Sequence, residues 1–232
     1  MRYLNFALLA LITLLASCKK EITDQMLPLA GAPVVVPYSE ATYSMTVTLN
    51  WQTPQFTVPA GVHVTALIGM VHSTDISLWR PGIQATKGLE DVAEIGNTVN
   101  MNIELDSILA LNKALSKFTI PPPPVTGTVT RNFNLNTNYP RISFVSMIAP
   151  SPDWFMGLHD LNLFEGNKWK DDLTVNIMLY DAGTEDGDVF GYNNPATVPQ
   201  QNISFLTPQN ASVLANGNSQ IYAIGTARFV KN

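Results

Sequence analysis

Two turns of this chain place carboxylates where backbone and side-chain oxygens could converge on a hard cation. The first reads Pro150-Ser151-Pro152-Asp153-Trp154-Phe155, and its two prolines fix the backbone around a serine before delivering one carboxylate beside two aromatics. The second reads Asp181-Ala182-Gly183-Thr184-Glu185-Asp186-Gly187-Asp188, where glycines allow a tight curl and acids recur at near-alternate positions. Calcium prefers six to eight such oxygens, drawn from carboxylates, carbonyls and water. On the residues alone this competes with a plainer reading, because acidic loop residues are commonly solvated turn formers.

Other chemistry is less well supplied. Histidines occur at His63, His72 and His159, and the His159-Asp160 pair with Ser151 nearby invites a hydrolytic reading. Triads are assembled from distant segments, however, and no G-x-S-x-G turn is present. Zinc would need a cysteine cluster or histidines at ligand spacing, and neither occurs. Trp154, Phe155 and Trp169 suit either core packing or a sugar-stacking platform, and Trp79-Arg80 either packs or stacks on a ligand.

The elements that must position the acidic turns are mostly strands. Tyr43, Met45, Val47, Leu49 and Trp51 alternate with polar residues, as do Leu173, Val175, Ile177 and Leu179, so each run presents one apolar face. Val62 to Val71 is more uniformly apolar and predicts a central strand, with Gly69 marking a close approach. Further strands are expected over 127–135, 141–148, 201–206 and 219–230. Helical spacing of Leu89, Val92 and Ala93 before Gly96 predicts one short helix, and an apolar stripe from Leu105 through Leu115 predicts a second over 105–117. Pro121 to Pro124 reads as a stiff connector. The fold class expected is all-β: an antiparallel β-sandwich with one or two short helices in its connections, Met45, Val47, Leu49, Val175, Ile177 and Leu179 lying in the core.

The N-terminal residues give an address. Arg2 precedes an apolar core over Phe6 to Leu15, and Leu15-Ala16-Ser17-Cys18 closes it, a stretch too short to span a membrane and typical of a secretion signal. Small residues ahead of the sole cysteine resemble the bacterial lipobox, which makes Cys18 the expected lipidation site and the first mature residue; the alternative is a plain signal peptide with an incidental cysteine. Residues 1–17 are read as the lipoprotein signal peptide, 18–40 as a tether, and 41–232 as one domain in the bacterial cell envelope, lipid-anchored at the outer membrane and surface-exposed. Removing residues 1–17 takes away Arg2 alone, leaving 12 of the 13 basic side chains against 18 acidic ones. That acidic balance, with no basic cluster beyond Lys19-Lys20, argues against nucleic acid as a partner.

The two turns also carry a family resemblance. APSPDWF followed about thirty residues later by DAGT-x-x-G resembles the spondin domain of extracellular matrix proteins, as do LIGMVHS (67–73), LWRPG (78–82), ATKGL (85–89) and AEIG (93–96) in the same order. The likeness covers about 41–190 and extends towards the end of the chain. It implies a β-sandwich that holds a calcium ion between the two turns, with Asp153 and Asp181 as ligands and Glu185 at the position of a third, where the family has Asp; Asp186 and Asp188 are the alternatives for that third ligand. It also implies a non-catalytic adhesion or ligand-binding role toward an extracellular protein or glycan. A structural subunit of a surface complex, and a calcium-dependent hydrolase of a surface polymer, are the alternatives.

Overall fold

The structure, a computed structural model, describes residues 36–51 and 58–232. Cys18, the signal segment, most of the tether and residues 52–57 lie outside the described residues. Among the described residues, twelve strands and three helices follow one another as β1 (Glu40–Asn50), β2 (His63–Val64), β3 (Leu67–His72), α1 (Lys87–Ile95), α2 (Val99–Ala110), β4 (Ala114–Ile120), β5 (Thr126–Asn136), β6 (Arg141–Ala149), β7 (Trp154–Asn162), β8 (Phe164–Glu165), β9 (Lys168–Trp169), β10 (Asp172–Asp181), β11 (Ser204–Phe205), α3 (Ser212–Ala215) and β12 (Gly225–Lys231). The protein is therefore all-β with short helices, as its alternation and turn pattern require.

Eight strands run in one antiparallel path, β4-β3-β6-β7-β10-β12-β1-β5. The bend in that path is β10. Its first half, Asp172 to Ile177, pairs with β12, and its second half, Met178 to Asp181, pairs with β7. One strand thus leaves the β5-β1-β12 sheet and enters the β7-β6-β3-β4 sheet, which is how a sandwich turns a corner.

Burial follows from which faces each sheet covers. In β1 the odd positions Tyr43 to Leu49 are buried and the even ones face water, because this sheet has one apolar face. β3 is buried throughout and β6 is buried after its first residue, since the second sheet is covered on both sides. Met45, Val47, Leu49, Ile177 and Leu179 join the core between the sheets, while Val175 is only half-buried against it. On the other side, Leu89, Val92, Ala93, Met101 and Leu105 of the helices pack onto Ile68, Met70, Val145 and Phe155. Each such side chain, fully buried, contributes roughly 1.5–3 kcal/mol relative to exposure.

Helix α1 starts where Thr86 accepts a hydrogen bond from the Leu89 amide and stops at Gly96 in the left-handed region, φ 65°. The second helix differs from the expectation over 105–117: it runs from Val99 to Ala110, and Ala114 onward is strand β4. Asn97 accepts from the Val99 amide at its start, and Asn112 at φ 53° closes its end, so Leu111 and Leu115 of the apparent stripe lie outside the helix and exposed. The run expected over 62–71 is broken into β2 and β3. The two closing strands are shorter than expected: only Ser204–Phe205 and Gly225–Lys231 pair. β4, β7 and the small β8-β9 hairpin were not expected from periodicity.

Gly69 sits where β3 meets β6, and a Cβ there would lie 2.1 Å from the Ser143 carbonyl oxygen and 2.8 Å from the Phe118 ring. Backbone cannot yield that distance cheaply. Gly69→Ala is expected to destabilise the domain by about 3 kcal/mol or more in denaturant unfolding. Gly191→Ala, with no heavy atom within 4 Å of the new Cβ, is expected to change it by less than about 0.5 kcal/mol.

Candidate metal centre

Register brings the two acidic turns together. Asp181, the last residue of β10, pairs with Trp154, the first of β7, so Asp153 lies beside the end of β10. The turn before it is fixed by Ser151, whose buried hydroxyl donates to the Ile148 carbonyl and accepts from the Trp154 amide at 3.2 Å. Ser151 is thus committed to the turn and faces no histidine.

Asp153 is fully buried. Its Oδ2 accepts from the Thr184 amide at 2.7 Å, the Glu185 amide at 3.2 Å and the Thr184 hydroxyl at 3.3 Å, and its carbonyl accepts from the Ala182 amide at 3.2 Å. The first turn's carboxylate therefore organises the second loop's backbone. Its other oxygen, Oδ1, is equally buried and has no hydrogen-bond partner. An anionic oxygen out of water without a donor is among the costliest groups a fold can hold, and a cation is its natural complement.

Asp181 forms a local turn in which its Oδ1 accepts from the Gly183 amide at 2.8 Å. Gly183 is required here, because φ is 74° and a Cβ would approach the Gln201 carbonyl oxygen to 2.6 Å. Burial, and then the Asp153 carboxylate beside it, push the Asp181 carboxyl up to about 6. Burial also raises Asp153, against the pull of the amides that bond it. Glu185 is raised by burial and then by the carboxylates of Glu94 and Asp153, and Asn194 reaches its Oε2 at 3.5 Å.

Glu94, in the last turn of α1, is the member of this group that the sequence reading missed. Burial raises it, the nearby Thr184 hydroxyl opposes that, and Glu90 and Asp153 repel its charge. A carboxylate in a helix's last turn opposes the helix dipole, and that was the legible signal.

Asp153, Asp181, Glu185 and Glu94 thus share one electrostatic neighbourhood. Among the described residues no three such groups are already drawn together in the arrangement of a metal site. What the structure provides is the donor chemistry: one orphaned buried oxygen and three further carboxylates whose raised affinities for protons mark a place short of positive charge. These residues fit a hard cation. Asp186 turns away to accept from the Thr197 hydroxyl at 2.5 Å, and Asp188 is exposed; with Asp181, Glu185, Gln201 and Asn210 they line an open cavity of about 420 Å³.

The aromatic residues divide clearly. Trp79, Trp154 and Phe155 are core residues, each at most 1% exposed, whereas Trp169 is half-buried against Tyr43 and Phe164. Comparison with known proteins gives a consistent picture. Residues 41–223 match the Spondin_N family model. The chain is 34% identical over 198 residues to Spondin-2 of Rattus norvegicus and of Homo sapiens, covering 82% of this chain and 59% of theirs. It is 33% identical over 151 residues to Spondin-1 of Gallus gallus, covering 62% of this chain and 19% of that one. The chain therefore spans about three fifths of Spondin-2 and a small part of Spondin-1.

The raised Asp181 carboxyl has a testable sign. A carboxyl held above its unfolded value stabilises the fold while protonated, so ion-free protein should lose stability as pH rises from 3.8 towards 6. Asp181→Asn is expected to flatten that slope in melting curves recorded in chelator, and an unchanged slope would mean Asp181 is not the group responsible.

Proposed function

The chain belongs to the Spondin_N family, and from that premise we propose a non-catalytic binding module of the cell exterior whose acidic loop end is stiffened by calcium. The observation that carries this is the buried, unpartnered Oδ1 of Asp153 beside Asp181, Glu185 and Glu94. Calcium suits the site better than magnesium, because loop carboxylates and carbonyls offer many oxygens without octahedral rigidity. Bound there, the ion supplies positive charge and no redox or acid–base chemistry. Asp153 holds the Thr184–Glu185 backbone in place, while Asp181, Glu185 and Glu94 would supply further oxygens to the ion, Glu185 with one methylene more than the family's Asp.

Exposed apolar side chains lie in the same segments as the ligands, which favours recognition over a purely structural ion. Ile95 follows Glu94 at 66% exposure, and Val189, Tyr192 and Val198 project from the loop beyond Glu185 at 51%, 55% and 86%. Aliphatic groups around one tyrosine suit a protein surface better than a glycan, which would call for more aromatic stacking.

Lipid anchoring through Cys18 belongs to the same proposal. The described chain enters β1 at Glu40, the end at which Tyr43 pairs with Lys231 and Asp172 pairs with Val230. Asp181 closes β10 nine residues after Asp172, so roughly 30 Å of strand separates that entry from the acidic loops. Among the described residues no helix is long and apolar enough to cross a membrane.

Calcium at a hundred times its dissociation constant is expected to add roughly 2.7 kcal/mol, a rise of about 5–10 °C in Tm. Asp181→Asn should remove most of that rise and Glu94→Gln part of it, while Asp106→Asn on α2 should keep it; binding on an array of extracellular proteins should weaken with chelator. No calcium-dependent shift at millimolar ion would sink the metal part of the proposal. Cys18→Ala is expected to move the protein from the membrane to the soluble fraction, and retention in the membrane would refute the anchor.

A further inference from the structure

At the far end of β7 from Asp153, two irregularities of the sheet fall side by side. The β6-β7 register slips between Ile142 and Phe144, so that His159 and Asp160 both face Ser143, and the β3-β4 register slips between Val71 and His72. Asp160 is in the left-handed region at φ 52°. Bulges and positive φ at a residue other than glycine are conformations that surrounding structure must enforce, and they gather where a side chain is being aimed.

The enforcement is visible. His72 is buried; its Nδ1 donates to the Ser73 carbonyl at 2.8 Å, so its Nε2 accepts from the Ser143 hydroxyl at 2.8 Å. Ser143 in turn accepts from the Asp160 amide at 2.8 Å, and the Ser77 hydroxyl donates to Asp160 Oδ2 at 2.7 Å. Burial alone would raise the Asp160 carboxyl, but the His159 ring, 3.8 Å from its Oδ2, and the Ser77 hydroxyl outweigh it and hold the group below the ordinary carboxylate range. A fixed, ionised carboxylate therefore stands at the edge of a pocket of about 340 Å³, at the small end of ligand-site sizes.

Two guanidinium groups line the same pocket. Arg141 donates to the Thr74 carbonyl at 3.1 Å, and its Nε is without a partner. Arg80 is exposed and makes no ion pair or hydrogen bond with any described residue. Although Asp160 and both arginines share the pocket, no ion pair within 4.0 Å joins them, whereas the neighbouring Asp75 is paired with Lys113. A simple anion would leave Asp160 without a counter-charge, and a simple cation would leave the arginines without one. A molecule with both charges close together satisfies both sides.

We propose that this pocket is a site for a free α-amino acid with an aliphatic side chain, its carboxylate on Arg80 and Arg141, its ammonium towards Asp160 and its side chain against Ile76 and Ile83. The site is independent of the acidic loops and of any ion they hold.

The probe is L-leucine, titrated into the full chain with amide NMR shifts of Ser77 and Arg80 as the readout. Saturable binding with Kd at or below about 1 mM is expected. Leucinamide, which lacks the carboxylate, and 4-methylpentanoate, which lacks the ammonium, should each bind at least about tenfold more weakly, as should L-leucine to Arg80→Ala, since each loses a charge-assisted contact. Arg80 is exposed and unpaired, so that variant folds normally. No saturable shift up to roughly 10 mM L-leucine would overturn the proposal. Equal binding of either analogue, or unchanged binding by Arg80→Ala, would overturn it too.

Discussion

A carboxylate taken wholly out of water constrains this fold more than any other single group. Asp153 is satisfied on one oxygen by two amides and a hydroxyl from the loop after β10, and is unsatisfied on the other. The bonded oxygen gives the Ala182–Glu185 loop its shape, because without it two amides would be buried unpaired. Burial raises Asp181, Glu185 and Glu94 toward protonation, and the charge of Asp153 adds to it at each. Removing the Asp153 side chain would therefore undo the loop and the charge cluster together.

The larger architecture serves that juxtaposition. Because β10 changes partners midway, its end arrives next to the start of β7, and two turns some thirty residues apart in sequence become neighbours. The second sheet needs a cover on its outer face, which α1 and α2 provide, and the cover brings Glu94 to the same place. The bulged region at the far end of β7 holds Asp160 and Arg141 in a pocket of different character. Rigid strands thus hold two polar sites, each made by the local breaks in pairing that a regular sheet could not supply.

Much of this was legible in the residues. The alternation in β1 identified Tyr43 to Leu49 as inward-facing, and the same logic placed Ile177 and Leu179. Val175 is less buried than its period implies, only half-buried against that core. The motif pair SPDW and DAGT located Asp153, Asp181 and Glu185 in one neighbourhood. For Glu94 the last-turn carboxylate was the one hint, because its role depends on how a helix lies on a sheet, which periodicity does not encode. Leu111 and Leu115 misled for a related reason: apolar spacing continued past Asn112, whose backbone conformation had already ended the helix. Strand β7 went unread because its burial on both faces erases the alternation that marks a strand.

The claim on which the rest turns is that a divalent cation completes Asp153. Anomalous diffraction from crystals grown with calcium and back-soaked with terbium tests it most directly. The account predicts one strong peak within about 2.3–2.6 Å of Asp153 Oδ1, with oxygens of Asp181 and Glu185 drawn into the same shell. A map with no peak there, and with Asp153 Oδ1 instead bonded to an ordered water or a rearranged protein donor, would contradict it.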